Sequence, residues 1–253
     1  ELSDLNKKLE TANALLSRLY LYREEWANVI TAARAAITGP YTRATDYSFY
    51  DKNTAEDVFT IQNSATDNGR TGSGGWASFY TPAPLGGRGD APFTTNLMTA
   101  YEAEAGDKRY LLKRTGTAAD ALSRTFTSKF PDAVNNADNS PVIRITEVYL
   151  NLAEALAQAN ALPNAEAIDI LNWFRNRAGL GPKVPATKAD LISAILLERR
   201  KELAFEGFRR MDMLRYKQNL RANNPLAAYG GQKTILPIPQ RELDNNKSLQ
   251  PNP

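Results

Sequence analysis

Apolar residues return at helical spacing at both ends of this chain, whereas the stretch between them shows no such period. That contrast limits the fold more than any other feature. Near the start, Leu5, Leu9, Ala12, Leu15, Leu16 and Leu19 recur at intervals of three and four, followed by Trp26, Val29, Ile30, Ala33 and Ile37. This spacing predicts two helices over 2–38, joined by a tight turn and ended by Gly39-Pro40. In the last third, Val142, Ile145, Val148, Tyr149, Leu152, Ala153 and Leu156 make a wide apolar stripe. Asn164 is placed to cap a helix through Ile168, Leu171 and Phe174 that stops at Gly179. Thr187 with Asp190 suggests a capping box, opening a helix that runs to Glu206 with Gly207 at its end. Met211–Tyr216 adds a further turn or two, and Ile235-Leu-Pro-Ile-Pro239 must be extended because its prolines forbid helix.

The order Ala14, Tyr20, Trp26, Ala32, Ala36 suggests a tetratricopeptide-like hairpin, with small residues where the helices must approach closely. One hairpin cannot bury its own apolar face, so it must pack on something else. The middle reads differently. Glu56–Gln62 alternates like a short strand. From Ser64 to Pro92 the chain is rich in Gly, Ser, Asn, Asp and Pro, yet it carries Trp76, Phe79 and Tyr80. Aromatics so close together argue against plain disorder, and a loop of this length is usually functional when ordered. Thr94–Ala105 suggests a short helix, and Asp132–Asn139 is an Asn/Asp-rich loop. The expected architecture is one mostly α domain over 1–253. Its parts are the helix pair (1–40), a loop-rich middle with few short strands (41–140) and a helical scaffold (141–253).

Composition narrows the chemistry. The 253 residues carry 31 Lys+Arg against 28 Asp+Glu, a net charge of +3 too small and scattered for a nucleic-acid binder. No apolar run approaches a membrane span. With no Cys there is no disulfide frame, thiol nucleophile or thiolate metal site, and with no His there is no Ser-His-Asp triad or imidazole-held zinc. Any acid–base chemistry would fall to Asp, Glu, Lys or Tyr. The first residue is Glu1 rather than Met, with no secretion leader after it. The expectation is a processed or cut chain whose export or lipid-attachment signals have been lost.

Four motifs follow one another along the chain: Arg144-Ile-Thr-Glu-Val-Tyr-Leu-Asn-Leu-Ala-Glu-Ala155, Leu171-Asn-Trp-Phe-Arg-Asn-Arg-Ala-Gly-Leu180, Glu198-Arg-Arg-Lys-Glu-Leu-Ala-Phe-Glu-Gly-Phe-Arg-Arg-Met-Asp-Met-Leu-Arg215 and Leu236-Pro-Ile-Pro-Gln-Arg-Glu242. In this order they resemble the SusD/RagB family of bacterial outer-membrane nutrient-binding lipoproteins. Glu56–Gln62 and Asp107-Lys-Arg109 match more weakly. The chain departs from the family in lacking its long N-terminal stretch, with the lipid-bearing Cys and further tetratricopeptide helices. It also departs in its Gln250-Pro-Asn-Pro253 tail. The resemblance implies a non-catalytic binding protein without a cofactor on the outer face of the outer membrane, anchored only through lipid. It would pass glycans or peptides to a SusC-like TonB-dependent transporter.

A sugar offers flat C–H faces that stack on aromatic rings, and hydroxyls that want planar amide, carboxylate or guanidinium partners. Trp76, Tyr80 and Phe79, with Asp67, Asn68, Arg70 and Arg88, are the candidate ligand-binding set. The competing expectation is that Trp76 and Phe79 fold inward and pin the loop. Glu198, Glu202 and Glu206 line one helix face, and paired carboxylates are what glycoside hydrolysis uses. Arg199, Arg200, Lys201, Arg209 and Arg210 lie among them, so the expectation is a structural ion-pair network. Trp26 and Trp173 are expected in the core. Asp132–Asn139 lacks calcium-loop spacing and reads as a solvated turn, and Gly69–Gly75 lacks a phosphate-loop pattern. Arg109 and Arg144 are open to partner contacts. Beside nutrient binding stand two alternatives, a helical-repeat adaptor for protein partners and a carboxylate-dependent glycosidase.

Overall fold

The computed structural model describes residues 2–47, 53–68 and 75–252. By the density of internal contacts the chain divides into two units, Glu1–Glu202 and Leu203–Pro253.

In the first unit, α1 (Leu2–Tyr22) and α2 (Trp26–Ile37) form the expected hairpin. The chain reverses at Glu24, whose φ of 58° is left-handed, and backbone bonds from Glu24 to Leu21 and Glu25 to Tyr20 close the turn. Ala14, Ser17 and Leu21 of α1 and Val29, Ala32, Ala33 and Ala36 of α2 are buried, so small residues do let the helices approach. The face of α1 differs from the apolar stripe in the sequence: Leu9 and Leu19 are exposed, while the polar Ser17 is buried. Ser17 tolerates burial because its hydroxyl donates to the Ala14 carbonyl at 2.6 Å and accepts from Asn151 Nδ2 at 3.1 Å.

What the hairpin packs on is α5 (Ile145–Ala159). Leu21, Val29 and Ala155 make a shared cluster, with Tyr20, Trp26 and Ile30 partly buried around it. Arg18 reinforces the contact, donating to both Glu147 carboxylate oxygens at 2.7 and 2.5 Å. Asn151 of α5 accepts in turn from Arg199 of α7 (Lys188–Glu202) at 2.7 Å. Between them, α6 (Ala165–Arg177) is capped as the sequence indicates: Asn164 Oδ1 accepts from the Ala167 N–H at 3.0 Å, and Gly179 ends the segment at a φ of 79°.

Two elements begin or stop where the apolar pattern does not. Val142 lies in a strand, β4 (Ser140–Arg144), and the helix starts only at Ile145. Pro141 and the β-branched Val142 and Ile143 suit an extended edge, and β4 pairs antiparallel with β1 (Asp57–Ile61) through a bulge, Phe59 opposite Ile143. The helix from Thr187 ends at Glu202 rather than Glu206, because Phe205 and Gly207 take left-handed φ values of 67° and 88°. A second hairpin, β2 (Lys113–Thr117) with β3 (Ser123–Thr127), carried no apolar alternation to announce it. The short helices α3 (Trp76–Tyr80) and α4 (Thr95–Glu102) complete the middle of the chain, α4 being capped by Thr94.

The second unit is sparse in regular structure. It holds α8 (Arg209–Arg215) and α9 (Gln240–Asn245), with the extended Leu236–Pro239 before α9. Arg210 donates to the Thr234 carbonyl at 2.7 Å, and Arg215 pairs with the buried Asp212 at 2.8 Å.

Candidate functional site

Three aromatic rings meet at α3. The Trp76 centroid lies 5.7 Å from Phe130 and 6.1 Å from Tyr80, edge to face in both cases, and Tyr80 stacks on Phe130 at 5.8 Å. Phe130 is fully buried, whereas Trp76 keeps 43% of its surface exposed and Tyr80 is half-buried. The inward-folding expectation is met only by one edge of Trp76, and Phe79 stays exposed. Trp76 anchors the segment through one edge and still presents ring surface to solvent. A ring braced this way loses little freedom when something stacks on it, which favours binding.

Backbone bonds hold this short helix in place. Arg88 donates its N–H to the Ser78 carbonyl at 2.8 Å, Gly89 to Thr81 at 2.9 Å and Ala91 to Phe79 at 3.1 Å. Arg114 of β2 reaches in from the hairpin, donating to Thr81 Oγ1 at 2.7 Å and to the Phe130 carbonyl at 3.0 Å. Gly75, just before α3, lies against Asn136 so closely that a Cβ there would stand 1.8 Å from the amide oxygen.

The other predicted residues scatter around this platform. Asn68 donates to the Asn135 carbonyl at 3.1 Å and to Ser64 at 2.9 Å, and Asp67 is exposed beside it. Phe79 is exposed too, but its face is covered by Arg88, whose guanidinium carbon sits 4.6 Å from the ring centroid. Arg88 also pairs with Asp90 at 2.6 Å. Arg70 falls outside the described residues. Phe130 and Arg114 were missed, since neither stands out from a single sequence.

The Asp132–Asn139 loop is not the solvated turn its composition suggests. Asn136 and Asp138 are buried. Asp138 Oδ2 accepts from the Asp132 N–H at 2.7 Å, and Asn63 bonds to Asn139 Oδ1 and to the Asp138 carbonyl. Its side chains serve as internal caps that build the wall beside α3.

The glutamate row behaves as a structural network, though with other partners than expected. Glu198 and Glu202 are buried. Glu198 Oε1 accepts from Arg109 at 2.5 Å, and Glu202 Oε1 from Arg177 at 2.6 Å with Arg144 at 3.7 Å. Arg144 and Arg177 also share Glu56, at 3.0 and 3.2 Å. Asp107 takes Arg109 through both oxygens and Lys201 at 3.3 Å. The partners come from far along the chain rather than from the neighbouring Arg199 and Arg200. Arg109 and Arg144 are thus interior ties, at 2% exposure each, and not free for partner contacts. Glycoside hydrolysis requires two carboxyls facing one bond, and Glu198 and Glu202 face guanidinium groups in the interior instead.

Trp173 is half-buried on α6, with the guanidinium carbon of Arg43 4.0 Å from its ring centroid and that of Arg177 5.1 Å away. Among the described residues no group of three or more acidic side chains could hold a metal ion, and no helix is long and apolar enough to cross a membrane.

A helical scaffold with a tetratricopeptide-like hairpin and irregular middle segments is the architecture of the SusD fold. Residues 113–253 match the SusD family, and the chain belongs to it. The SusD-like protein P2 of Formosa agariphila is 25% identical over 299 residues, which cover 96% of this chain and 58% of that protein. A crystal structure of a SusD superfamily protein from Bacteroides vulgatus superposes with a TM-score of 0.79 at 25% identity, covering 96% of this chain and 59% of the other. A SusD-like carbohydrate binding protein from the same organism gives a TM-score of 0.66 at 24% identity, covering 83% of this chain and 46% of the other. The chain spans somewhat over half the length of the relatives it matches most fully.

Proposed function

We propose that this chain is the ligand-facing part of a non-catalytic, cell-surface glycan-binding protein, with Trp76 as the central stacking residue. The observation that carries the reading is the partly exposed Trp76 ring braced against the buried Phe130. Tyr80 extends the aromatic surface and the exposed Asp67 supplies a carboxylate edge for sugar hydroxyls, while Asn68, bonded to Ser64 and Asn135, holds the segment in place. Arg88, already held over Phe79 and by Asp90, contributes as a wall rather than as a free hydrogen-bonding fork. A relative described as carbohydrate binding supports the ligand class. Family membership supports the wider setting: a lipid-anchored protein of the outer membrane that hands its ligand to a SusC-like TonB-dependent transporter.

Affinity gel electrophoresis against a panel of soluble polysaccharides tests this. Retardation by at least one glycan is expected, and its loss in Trp76→Ala. A stacking ring contributes on the order of 1 kcal/mol or more, enough to weaken binding several-fold to tenfold. Retardation that persists unchanged in the variant would remove Trp76 from the site.

A further inference from the structure

The segment around Arg43 places a cation on aromatic rings without a direct ion pair among the described residues. The Arg43 guanidinium carbon lies 4.0 Å from the Tyr149 centroid and 4.0 Å from the Trp173 centroid, with Phe174 at 5.9 Å. Every other guanidinium nearby is committed. Arg177 is tied to Glu56, Glu202 and the Ala44 carbonyl, and Arg144 to Glu56. Among the described residues Arg43 makes no direct hydrogen bond or ion pair, the nearby Glu56 carboxylate being shared by Arg144 and Arg177, and the Tyr149 hydroxyl likewise has no partner among them.

The position is also fixed in advance. On one side the Thr42 N–H donates to the Ala55 carbonyl at 2.9 Å. On the other, the Ala44 N–H donates to Glu56 Oε1 at 2.8 Å and the Ala44 carbonyl accepts from Arg177 at 3.0 Å. Arg43 is half-buried, and burial is the largest influence on it and lowers its pKa; Arg177 acts in the same direction, while Tyr149 and the Glu56 carboxylate act against it without reversing the shift. A partly dehydrated cation beside a second cation is costly unless an anion completes it. With rings against the guanidinium, its planar N–H edge is the part left to bond, and that fork matches the two oxygens of a carboxylate.

We infer that Arg43, backed by Tyr149 and Trp173, forms a second binding site, for the carboxylate of an acidic sugar such as a uronic acid. The site uses α5, α6 and the segment before β1, not α3, so it stands whether or not Trp76 binds glycan. Arg43 would take both carboxylate oxygens, the Tyr149 hydroxyl would donate a further bond, and Trp173 would hold the guanidinium flat.

The chain has three tryptophans, so its indole N–H signals are few enough to follow by NMR, with Trp173 assigned by Trp173→Phe. The probes are sodium galacturonate, with galactose and sodium chloride at matched concentration and ionic strength as controls. A saturable shift of the Trp173 signal is expected with galacturonate alone. In Arg43→Gln, which keeps a planar amide but no charge, the apparent affinity should fall at least tenfold. Arg43→Lys, which keeps the charge but loses the fork, should fall several-fold. No shift in the native protein, an equal shift with galactose or chloride, or an undiminished shift in folded Arg43→Gln or Arg43→Lys would each overturn the inference. The native titration with its two controls decides the matter even if the variants fold poorly.

Discussion

Glu202 has no exposed side-chain surface, and three guanidinium groups come within 3.7 Å of its oxygens: Arg177 at 2.6 Å, Arg109 at 3.6 Å and Arg144 at 3.7 Å. Burial alone would push its pKa up. The charges of Arg177, Arg109, Arg144 and Lys129 outweigh that and hold it down at about 2. Removing one partner from a buried ion network leaves the others uncompensated, which typically costs about 3–5 kcal/mol. Glu202→Gln is therefore expected to lower the urea midpoint sharply. A variant as stable as the native chain would show that the network is not held by this residue. The same substitution separates scaffold from catalysis, because a hydrolase would lose turnover with its fold intact.

At the scale of elements, α3 depends on the space in front of it. A methyl group on Gly75 would collide with the Asn136 side chain, 1.8 Å from its oxygen and 2.8 Å from its Cβ. Neither side gives way easily, since Asn136 is buried in a loop tied by Asp132 and Asp138. Gly75→Ala should thus displace α3 and weaken glycan retardation about as much as Trp76→Ala, while far-ultraviolet circular dichroism stays helical. Retention of full binding would mean that α3 does not need this close approach. The elements that were legible in sequence are those whose pattern is local. The helix pair, the Asn164 cap and the α6 core of Leu171 and Phe174 follow from spacing and from one capping side chain. What escaped depends on distant partners. β4 is a strand because β1 lies beside it, and Ser17 is interior because Asn151 meets it. The second half of α7 turns Glu198 and Glu202 inward, where the sequence shows only mixed charge, because Arg109, Arg144 and Arg177 arrive from elsewhere. Trp76 was visible as an aromatic in a polar loop, but its backing by Phe130 was not.

For the whole molecule, the absence of histidine together with this buried charge sets the response to acid. No side chain of ordinary pKa changes charge between pH 5 and 8, so stability should be nearly flat there. Below that range the carboxylates take over. Glu104 is held at about 2, first by its hydrogen bond from Arg175, with the charges of Arg175, Lys183 and Lys201 adding to it. Glu202 is held equally low. For a carboxylate depressed by folding, the unfolded chain takes up the proton first. Its contribution is complete above the ordinary value of 4.5 and disappears as pH falls toward 2. Glu198 acts the other way: burial, the largest influence on it, raises its pKa, so acid relieves a cost there. Asp57 is likewise raised by burial, but Glu25 and Asp120 are lowered by their hydrogen bonds, so four depressed carboxylates stand against two raised ones and the net effect is destabilising. The urea midpoint measured from pH 8 to pH 2 should hold a plateau to about pH 5 and then fall continuously. A midpoint that peaks in mild acid would mean that relief of the two raised carboxylates, Asp57 and Glu198, dominates. A step between pH 6 and 7 would require a titrating group that the buried network does not contain.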